Sequence, residues 1–322
     1  MESASLKTPI AFLIFNRPEM TRKVFAEIAR AKPERLLIVA DGPRTPSESE
    51  LCRAARAVVA AVDWDCEVLT NYAEVNLGCK RRVSSGLDWV FSLCGEAIIL
   101  EDDCVPHPTF FRFCEELLER YRDDERVPMI CGNSFLSAKP AADRYYFSRY
   151  GHVWGWATWR RMWQHYDVTI GAWPQLRETT WLEDVLGEPG AAAYWRSRFE
   201  GTYAGEVDTW DYQWFFNCWV QNGLAVIPAR NMVTNIGFGE DATHTKAAVE
   251  TMSYLPAEPM TFPLRHPEIM VRDREEDQLA FRRMCPWADP QPGMANWLRR
   301  HVSPVLPDPL RKSLSYLRAK LA

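Results

Sequence analysis

The chain contains no apolar run that approaches the roughly 20 residues needed to cross a bilayer as a helix. Its first residues, MESASLKTP, lack the basic and then apolar pattern of a secretory signal peptide, so we expect a cytoplasmic protein. Positive charge is not in surplus either, because 38 Lys and Arg face 43 Asp and Glu. A general nucleic-acid-binding protein needs a basic surface to replace the counterions around phosphates, and the composition argues against that class.

Two further kinds of motif are missing. The nine cysteines are an odd number and none forms a Cys-x-x-Cys pair, which indicates reduced thiols, several of them in the core, rather than disulfides or a zinc site. No Gly-x-Gly-x-x-Gly follows the first predicted strand, and there is no Gly-Lys-Ser/Thr loop. The sequence therefore predicts neither a Rossmann dinucleotide cofactor nor a P-loop nucleotide site.

The composition is that of an ordinary globular protein. Its 322 residues, 47% of them hydrophobic and 25% charged, are enough for one large domain or two closely packed ones. Strands are predicted at residues 9–15, 35–40, 67–69, 97–100 and 127–131, and helices at residues 18–30, 47–62, 80–93 and 108–122. Ser47 and Glu50 have the spacing of a capping box in the second helix. This alternation predicts an α/β fold with a mainly parallel sheet flanked by helices.

Polar side chains follow the strands at the edge where such sheets bind ligands. They are Asn16 and Arg17 after the first strand, Asp41 and Arg44 after the second, and Glu101, Asp102 and Asp103 after the fourth. Three adjacent carboxylates repel one another unless a cation or hydrogen-bond donors neutralise them. For the triplet alone, a solvated acidic turn is the alternative. Together with the arginines, the triplet favours a diphosphate bound through a divalent cation, as in a nucleotide-sugar.

The middle of the chain, residues 134–231, is rich in aromatic side chains. Ten of the 14 tryptophans lie between Trp154 and Trp219. Such a cluster packs over a sheet or stacks on sugar rings, and the sequence leaves both interpretations open. Within it, Asp208 and Asp211 are candidates for a partly desolvated carboxylate that acts as a general base, with a surface turn as the alternative.

Seven motifs occur in one order between residues 9 and 245. They are IFNRPE at 14–19, ADGPR at 40–44, NLGCKRRVSSGL at 76–87, AIILEDDCVPHPTFF at 97–111, GHVWGWATW at 151–159, WDYQW at 210–214 and NIGFGEDATHT at 235–245. In these motifs the chain resembles GT-A-fold glycosyltransferases, namely the N-acetylglucosaminyltransferase I group and bacterial family 2 or HlpA-like haemolytic proteins. The resemblance implies a GT-A fold, Rossmann-like and mostly parallel, with an acceptor-side extension.

The resemblance also implies roles at the nucleotide end of a site. Asp103 would bind Mn²⁺ or Mg²⁺ between the two phosphates, and Glu101 and Asp102 would hold ribose or sugar hydroxyls. Asp41 would accept a hydrogen bond from the imide of a uracil. The remaining residues implied to contact the nucleotide-sugar are Asn16, Arg17, Lys80 and Thr243. His244, in a late loop, would approach the metal or the phosphates.

At the acceptor end, the resemblance implies that Asp211 is the general base, with Asp208 left as its competitor. The loop that would lie along the donor sugar and the acceptor contains Gly151, Trp154, Gly155 and Trp156. His107 and His152 are interpreted as loop residues that form hydrogen bonds rather than as metal ligands, because neither has a second ligand at a recognisable spacing.

Three segments are predicted: a nucleotide-sugar-binding half at 1–132, an acceptor and catalytic half of the same domain at 133–245, and a C-terminal part at 246–322. The last comprises an extended arm, a short charged helix around DREEDQLAFRRMC, and a helix with leucines at 310, 314, 317 and 321. That last helix either docks on the core or lies on anionic lipid, which would place the protein peripherally on the inner face of the membrane.

The expected function is an inverting, metal-dependent hexosyl- or N-acetylhexosaminyltransferase of polysaccharide biosynthesis. Its partners would be a nucleotide-sugar donor, with UDP favoured, and a glycan or lipid-linked acceptor, and it would bind no nucleic acid. Two alternatives stay open. One is a nucleotidyltransferase that forms nucleotide-sugars, although its usual Gly-rich signature is absent; the other is a non-catalytic sugar-binding or membrane-active protein.

Overall fold

The computed structural model of this chain describes residues 5–136, 142–238 and 255–285. The chain divides into two compact units, Met1–Met284 and Cys285–Ala322, and every element below belongs to the first. Of the second unit only Cys285 is described, so the leucine-rich helix predicted near the C-terminus lies outside the described residues. The predicted boundary at residue 245 lies outside them as well.

The described residues form ten strands in two sheets. In chain order these are β1 Ile10–Ile14, β2 Arg35–Ala40, β3 Glu67–Tyr72, β4 Glu96–Glu101, β5 Cys104–Pro106, β6 Ile130–Cys131, β7 Tyr145–Ser148, β8 Trp156–Trp159, β9 Ala225–Pro228 and β10 Val233–Asn235. The large sheet has the order β3-β2-β1-β4-β8-β6-β9-β7, and β5 pairs with β10 in a separate antiparallel ribbon. Helices surround the large sheet, which confirms the predicted α/β fold class.

The first half of the large sheet is wholly parallel. β1 pairs with both β2 and β4, and β2 pairs with β3, so that Ile14 lies beside Ala40 and Leu13 beside Glu101. β1 is buried throughout and β2 almost throughout, as expected for parallel strands covered on both faces. The carboxyl ends of β1, β2 and β4 therefore meet at one edge of the sheet.

The second half of the sheet is mixed. β8 runs antiparallel to both of its neighbours, β4 and β6, while β6 is parallel to β9 and β9 is antiparallel to β7. The two-residue strand β6 occupies only the end of the strand predicted at 127–131. The sheet is thus mostly parallel but contains antiparallel pairings that the alternation of the first 130 residues does not predict.

Ten helices lie in the described segments: α1 Pro18–Ala31, α2 Ser49–Val59, α3 Gly78–Leu93, α4 Thr109–Arg120, α5 Arg160–Trp163, α6 Trp173–Leu176, α7 Trp181–Leu186, α8 Pro189–Tyr203, α9 Asp211–Val220 and α10 Arg274–Met284. α1 begins at Pro18 and buries Val24, Phe25 and Ile28, as its periodicity predicts. The short charged helix predicted near the end of the described chain is α10.

The capping box predicted at the second helix is wrong. A 3₁₀ turn at Pro46–Glu48 precedes α2, which begins two residues later than Ser47, and no side chain caps it. The Ser47 hydroxyl lies 2.8 Å from that of Thr45, while Glu50 pairs with Arg53. The rigid ring of Pro46 suits the first position of a helical turn, which moves the turn start ahead of the predicted cap.

The tryptophan-rich region forms much of the core beyond the parallel half. Trp156, Trp173, Trp214 and Trp219 are fully buried, and the ring of Trp156 stacks on that of Trp210 with centroids 5.6 Å apart. All nine cysteines are free thiols and seven are buried, which confirms the prediction of reduced core cysteines. Over the described residues, no helix combines the length and the apolarity that crossing a membrane requires.

Candidate active site

A cavity of about 370 Å³ opens where the three parallel strands end. Its lining includes Arg17 from the segment after β1, Asp41 after β2, and the triplet that closes β4. Further lining residues are Asp208, Thr209 and Asp211 before and at the start of α9, and Trp154 before β8. The strand ends and the start of α9, far apart in the sequence, therefore share one cavity.

Arg17 organises the acidic triplet. Its Nη2 donates a hydrogen bond to Asp102, whose carboxylate also accepts one from the backbone N–H of Phe15 at 3.2 Å. Its Nη1 lies 3.0 Å from Asp103 Oδ2. Burial disfavours the charge of Arg17, but the carboxylates of Asp102 and Asp103 outweigh this and raise its pKa. The side chain of Asp102 is almost fully buried, so in this structure it anchors Arg17.

The triplet carries unfavourable negative charge despite Arg17. Burial, followed by the charges of Asp103 and Asp102, raises the pKa of the Glu101 carboxyl, and the charge of Asp211 adds to the effect. Burial also raises the pKa of Asp102, although Arg17 opposes it. Carboxylates in this state gain stability from an added cation. Asp211 affects the pKa of Glu101 because both carboxyl groups line the same cavity.

Asp103 is placed differently from Asp102. It is partly accessible, accepts a hydrogen bond from the Cys104 thiol at 3.3 Å, and lies against the loop after β10. At Gly237 a Cβ would lie 2.2 Å from Asp103 Oδ2, so only glycine permits this approach. Asp103 is therefore held between Arg17 and the Gly237 backbone, with an edge toward the cavity.

The described residues contain no group of three His, Cys, Asp or Glu side chains arranged to enclose a metal ion. Mg²⁺ in phosphate-transfer sites is held through one or two carboxylates together with substrate phosphates rather than by an all-protein cage. Hard oxygen donors with excess negative charge, as at Glu101 and Asp103, suit such a cation. The residues present thus fit a divalent metal that shares its coordination with a bound diphosphate.

Asp41 is already saturated with hydrogen bonds. Its Oδ1 accepts from the backbone N–H groups of Gly42 at 2.8 Å and Leu77 at 2.9 Å, and its Oδ2 accepts from the Asn76 amide at 2.9 Å and the Gly78 N–H at 3.2 Å. Burial raises its pKa, against the effect of these donors. In this structure, Asp41 holds the turn that starts α3, and no acceptor site of its carboxylate remains for a uracil.

Asp211 is the first residue of α9, at the positive end of the helix dipole. The hydroxyl of Thr209 donates a hydrogen bond to Asp211 Oδ1, and the N–H of Tyr212 lies 3.0 Å from the same oxygen. Asp208 is exposed at the cavity rim, whereas Asp211 is half-buried. The fixed and partly desolvated carboxylate is thus that of Asp211, although both residues line the cavity.

The Gly-rich loop contributes one aromatic side chain to the cavity. Trp154 lines it, with edge-to-face contacts to Phe135 at 5.0 Å and Phe238 at 5.5 Å between centroids. Gly155 takes a φ of +66°, and a Cβ there would lie 2.7 Å from Val233. Trp156 is in β8 and fully buried, as is every residue of this strand, because β8 lies inside the sheet between β4 and β6 and is covered on both faces.

Five further candidates lie away from the cavity lining or beyond the described residues. Gly151 packs against Met129, and the Asn16 amide donates to Glu48 at 3.2 Å. Lys80, in the first turn of α3, does not line the cavity. Thr243 and His244 are outside the described residues. The structure thus brings together only part of the predicted set.

Several residues that the prediction did not assign line the cavity. Asn76 and Cys79 come from the turn held by Asp41, and Thr209 precedes α9. The motif NLGCK and the residues before WDYQW pointed to this part of the site, but only the fold shows which of their side chains line the cavity. His107 accepts a hydrogen bond from the Thr109 N–H at 3.2 Å at the start of α4, as expected of a loop residue.

No family model and no curated protein matches this chain. Similar solved structures include a UDP-glucose pyrophosphorylase complexed with UDP-glucose, at 8% identity and a TM-score of 0.26, with the match covering 44% of this chain and 63% of that one. HddC from Yersinia pseudotuberculosis, complexed with GMP-PN and without it, is similar at 7% identity and a TM-score of 0.30, over 47% of this chain and 77% of HddC. Likeness at this level carries no argument about activity.

Proposed function

We propose that this protein is an inverting, metal-dependent glycosyltransferase that moves a sugar from a nucleoside-diphosphate sugar, with UDP favoured, to a hydroxyl of a glycan or glycolipid. The observation that carries the proposal is the shared cavity. The cavity is lined on one side by the acidic triplet at the end of β4 with Arg17 bound to it. It is lined also by the Asp211 carboxylate, which is fixed at the start of α9. The first suits a metal-bound diphosphate, and the second suits an acceptor hydroxyl.

At the nucleotide end, Asp103 would hold the divalent cation and Arg17 would donate to the phosphate oxygens. When bound, the cation supplies positive charge that stabilises the departing nucleoside diphosphate. The buried anchor at Asp102 keeps the guanidinium at the cavity edge before the ligand arrives. Because Asp41 is saturated by its own turn, and the Asn76 NH₂ group donates to Asp41 and to the Gly42 carbonyl, the amide oxygen of Asn76 is the group that would accept from the nucleotide.

At the acceptor end, Asp211 would accept the proton of the attacking hydroxyl. The Thr209 hydroxyl and the Tyr212 N–H fix Oδ1 of this carboxylate and so orient the group. Attack on the face opposite the leaving diphosphate, in a single displacement, inverts the anomeric centre. Trp154 offers an aromatic wall on which a sugar ring can pack. Thr243 and His244, which lie outside the described residues, keep the roles proposed for them at the nucleotide-sugar and at the metal or phosphates.

The proposal is tested with a panel of nucleotide-sugars and Mn²⁺, by measuring nucleoside diphosphate, pyrophosphate and sugar release. Release of nucleoside diphosphate that depends on Mn²⁺ supports a glycosyltransferase. Pyrophosphate exchange with a nucleoside triphosphate and sugar phosphate would instead identify a nucleotidyltransferase. Sugar binding or vesicle leakage without turnover across the panel would identify a non-catalytic protein.

A further inference from the structure

Arg17 contacts two carboxylates that have different surroundings. Its Nη2 bonds to Asp102, which is almost fully buried and also bonded to the Phe15 N–H. Its Nη1 lies 3.0 Å from Asp103 Oδ2, which is more accessible and lines the cavity. Nη2 thus has a buried carboxylate as its partner, whereas Nη1 contacts Asp103, the carboxylate proposed to bind the cation.

The charges of the cavity favour a cation over a free diphosphate. Among the described lining residues, six carboxylates face three guanidinium groups, those of Arg17, Arg44 and Arg82. Arg82 bonds to Asn71 and Arg44 pairs with Glu48, so each has a partner elsewhere. A diphosphate without a cation therefore meets net repulsion, and a cation without a diphosphate must displace Arg17 from Asp103.

We propose that Arg17 couples the two ligands of this site, so that the divalent cation and the nucleoside diphosphate bind together. It holds Asp103 in the unliganded protein, and its Nη1 turns to a phosphate oxygen when a cation takes that carboxylate. A cation alone has to displace Arg17 from Asp103, and a diphosphate alone is repelled by the carboxylates. A bound cation offsets that repulsion, and a bound phosphate accepts a hydrogen bond from the displaced Nη1. The inference rests on the proposed function, since it concerns the same nucleotide end, but it concerns binding and needs no transfer reaction.

The experiment measures Mn²⁺ binding by the full chain, from the electron paramagnetic resonance signal of free Mn²⁺, with and without saturating UDP. In the wild type, UDP raises the Mn²⁺ affinity by about tenfold or more, within the usual range of coupling between two ligands. In Arg17→Gln the two affinities move in opposite directions. Mn²⁺ alone binds about fivefold or more tightly, because Asp103 is free, while UDP with Mn²⁺ binds more weakly.

The matched control is Arg44→Gln, which removes the same charge from the same lining without touching Asp103. It leaves the affinity for Mn²⁺ alone near that of the wild type. Because Arg17→Gln leaves Asp102 buried without its partner, a double variant that also carries Asp102→Asn restores a neutral pair and is measured in parallel. In the double variant we again expect tighter binding of Mn²⁺ alone and weaker binding of UDP with Mn²⁺.

An unchanged or weakened affinity for Mn²⁺ alone in both Arg17 variants overturns the coupling while the proposed function stands. An equal rise in the affinity of Arg44→Gln for Mn²⁺ alone also overturns the coupling, because the rise then comes from the loss of any positive charge and not from the release of Asp103. If the wild type binds neither Mn²⁺ nor UDP in any combination, the proposed function fails and the coupling fails with it.

Discussion

His152 gives a quantitative test of the buried structure through the pH dependence of stability. Its side chain is buried, with the ring against the edge of Phe135 at 4.5 Å between centroids, and burial lowers its pKa from 6.5 to about 3. A group with a lowered folded-state pKa loses its contribution as the pH falls, because only the unfolded chain takes up the proton. The window runs from pH 6.5 down to about pH 3.

The magnitude follows from the two pKa values. At pH 7.5 both states keep His152 neutral, and at pH 5.0 the unfolded state is stabilised by about 2 kcal/mol, at about 1.4 kcal/mol per pH unit below 6.5. His152→Gln removes this term and retains the backbone N–H bond to Cys131. We therefore expect the free energy of unfolding of the wild type to fall by about 2 kcal/mol more than that of the variant between these pH values.

Urea denaturation of both proteins at pH 7.5 and 5.0 provides the measurement, and only the difference between their pH slopes is interpreted. His165→Gln is the matched control, because His165 is exposed just after α5. It should follow the wild-type slope. Identical slopes for the wild type and His152→Gln would refute the buried, neutral imidazole and the packing of its loop.

The remaining predictions concern the cavity. Asp211→Asn should lower transfer by about 10² to 10⁴ with donor binding retained, whereas Asp208→Asn should stay near wild type in steady-state kinetics; the reverse result would move the base to Asp208. Asp103→Ala should abolish Mn²⁺-dependent UDP binding in calorimetry, and UDP binding that still responds to Mn²⁺ would exclude Asp103 as the ligand. Asp41→Asn should lower the free energy of unfolding by about 1–3 kcal/mol, because an NH₂ then faces backbone donors; unchanged stability in urea denaturation would contradict the structural role of Asp41.

The parallel half of the fold is well predicted from sequence because its signals are local. The strand predicted at 35–40 matches β2 over its whole length, because residues 36–40 form an unbroken apolar run, and the buried stripe of α1 follows its periodicity. The second half lacks such signals. β6 has only two residues, and β8 has four in aromatic sequence that fits helix and strand equally, so the antiparallel insertion of β8 beside β4 was not predictable.

The candidate site shows the same division. The edge of the sheet that carries Arg17 and the triplet follows from a parallel sheet, whose strand ends must meet. The roles within that edge depend on partners distant in the chain. The Asp41 carboxylate accepts hydrogen bonds from Leu77 and Gly78, and that of Asp102 accepts them from Phe15 and Arg17. Both residues were predicted to contact the nucleotide-sugar, but in the structure they stabilise the site itself.

The sequence by itself determined the α/β class, the reduced cysteines and the edge of the sheet where polar residues gather, because these depend on local periodicity and strand direction. Only the tertiary structure decided that Asp211 shares a cavity with the triplet and that Trp156 lies in the core. It also decided that Arg17 holds Asp103. These facts depend on hydrogen bonds and packing between segments far apart in the chain, whose register and orientation no local pattern specifies.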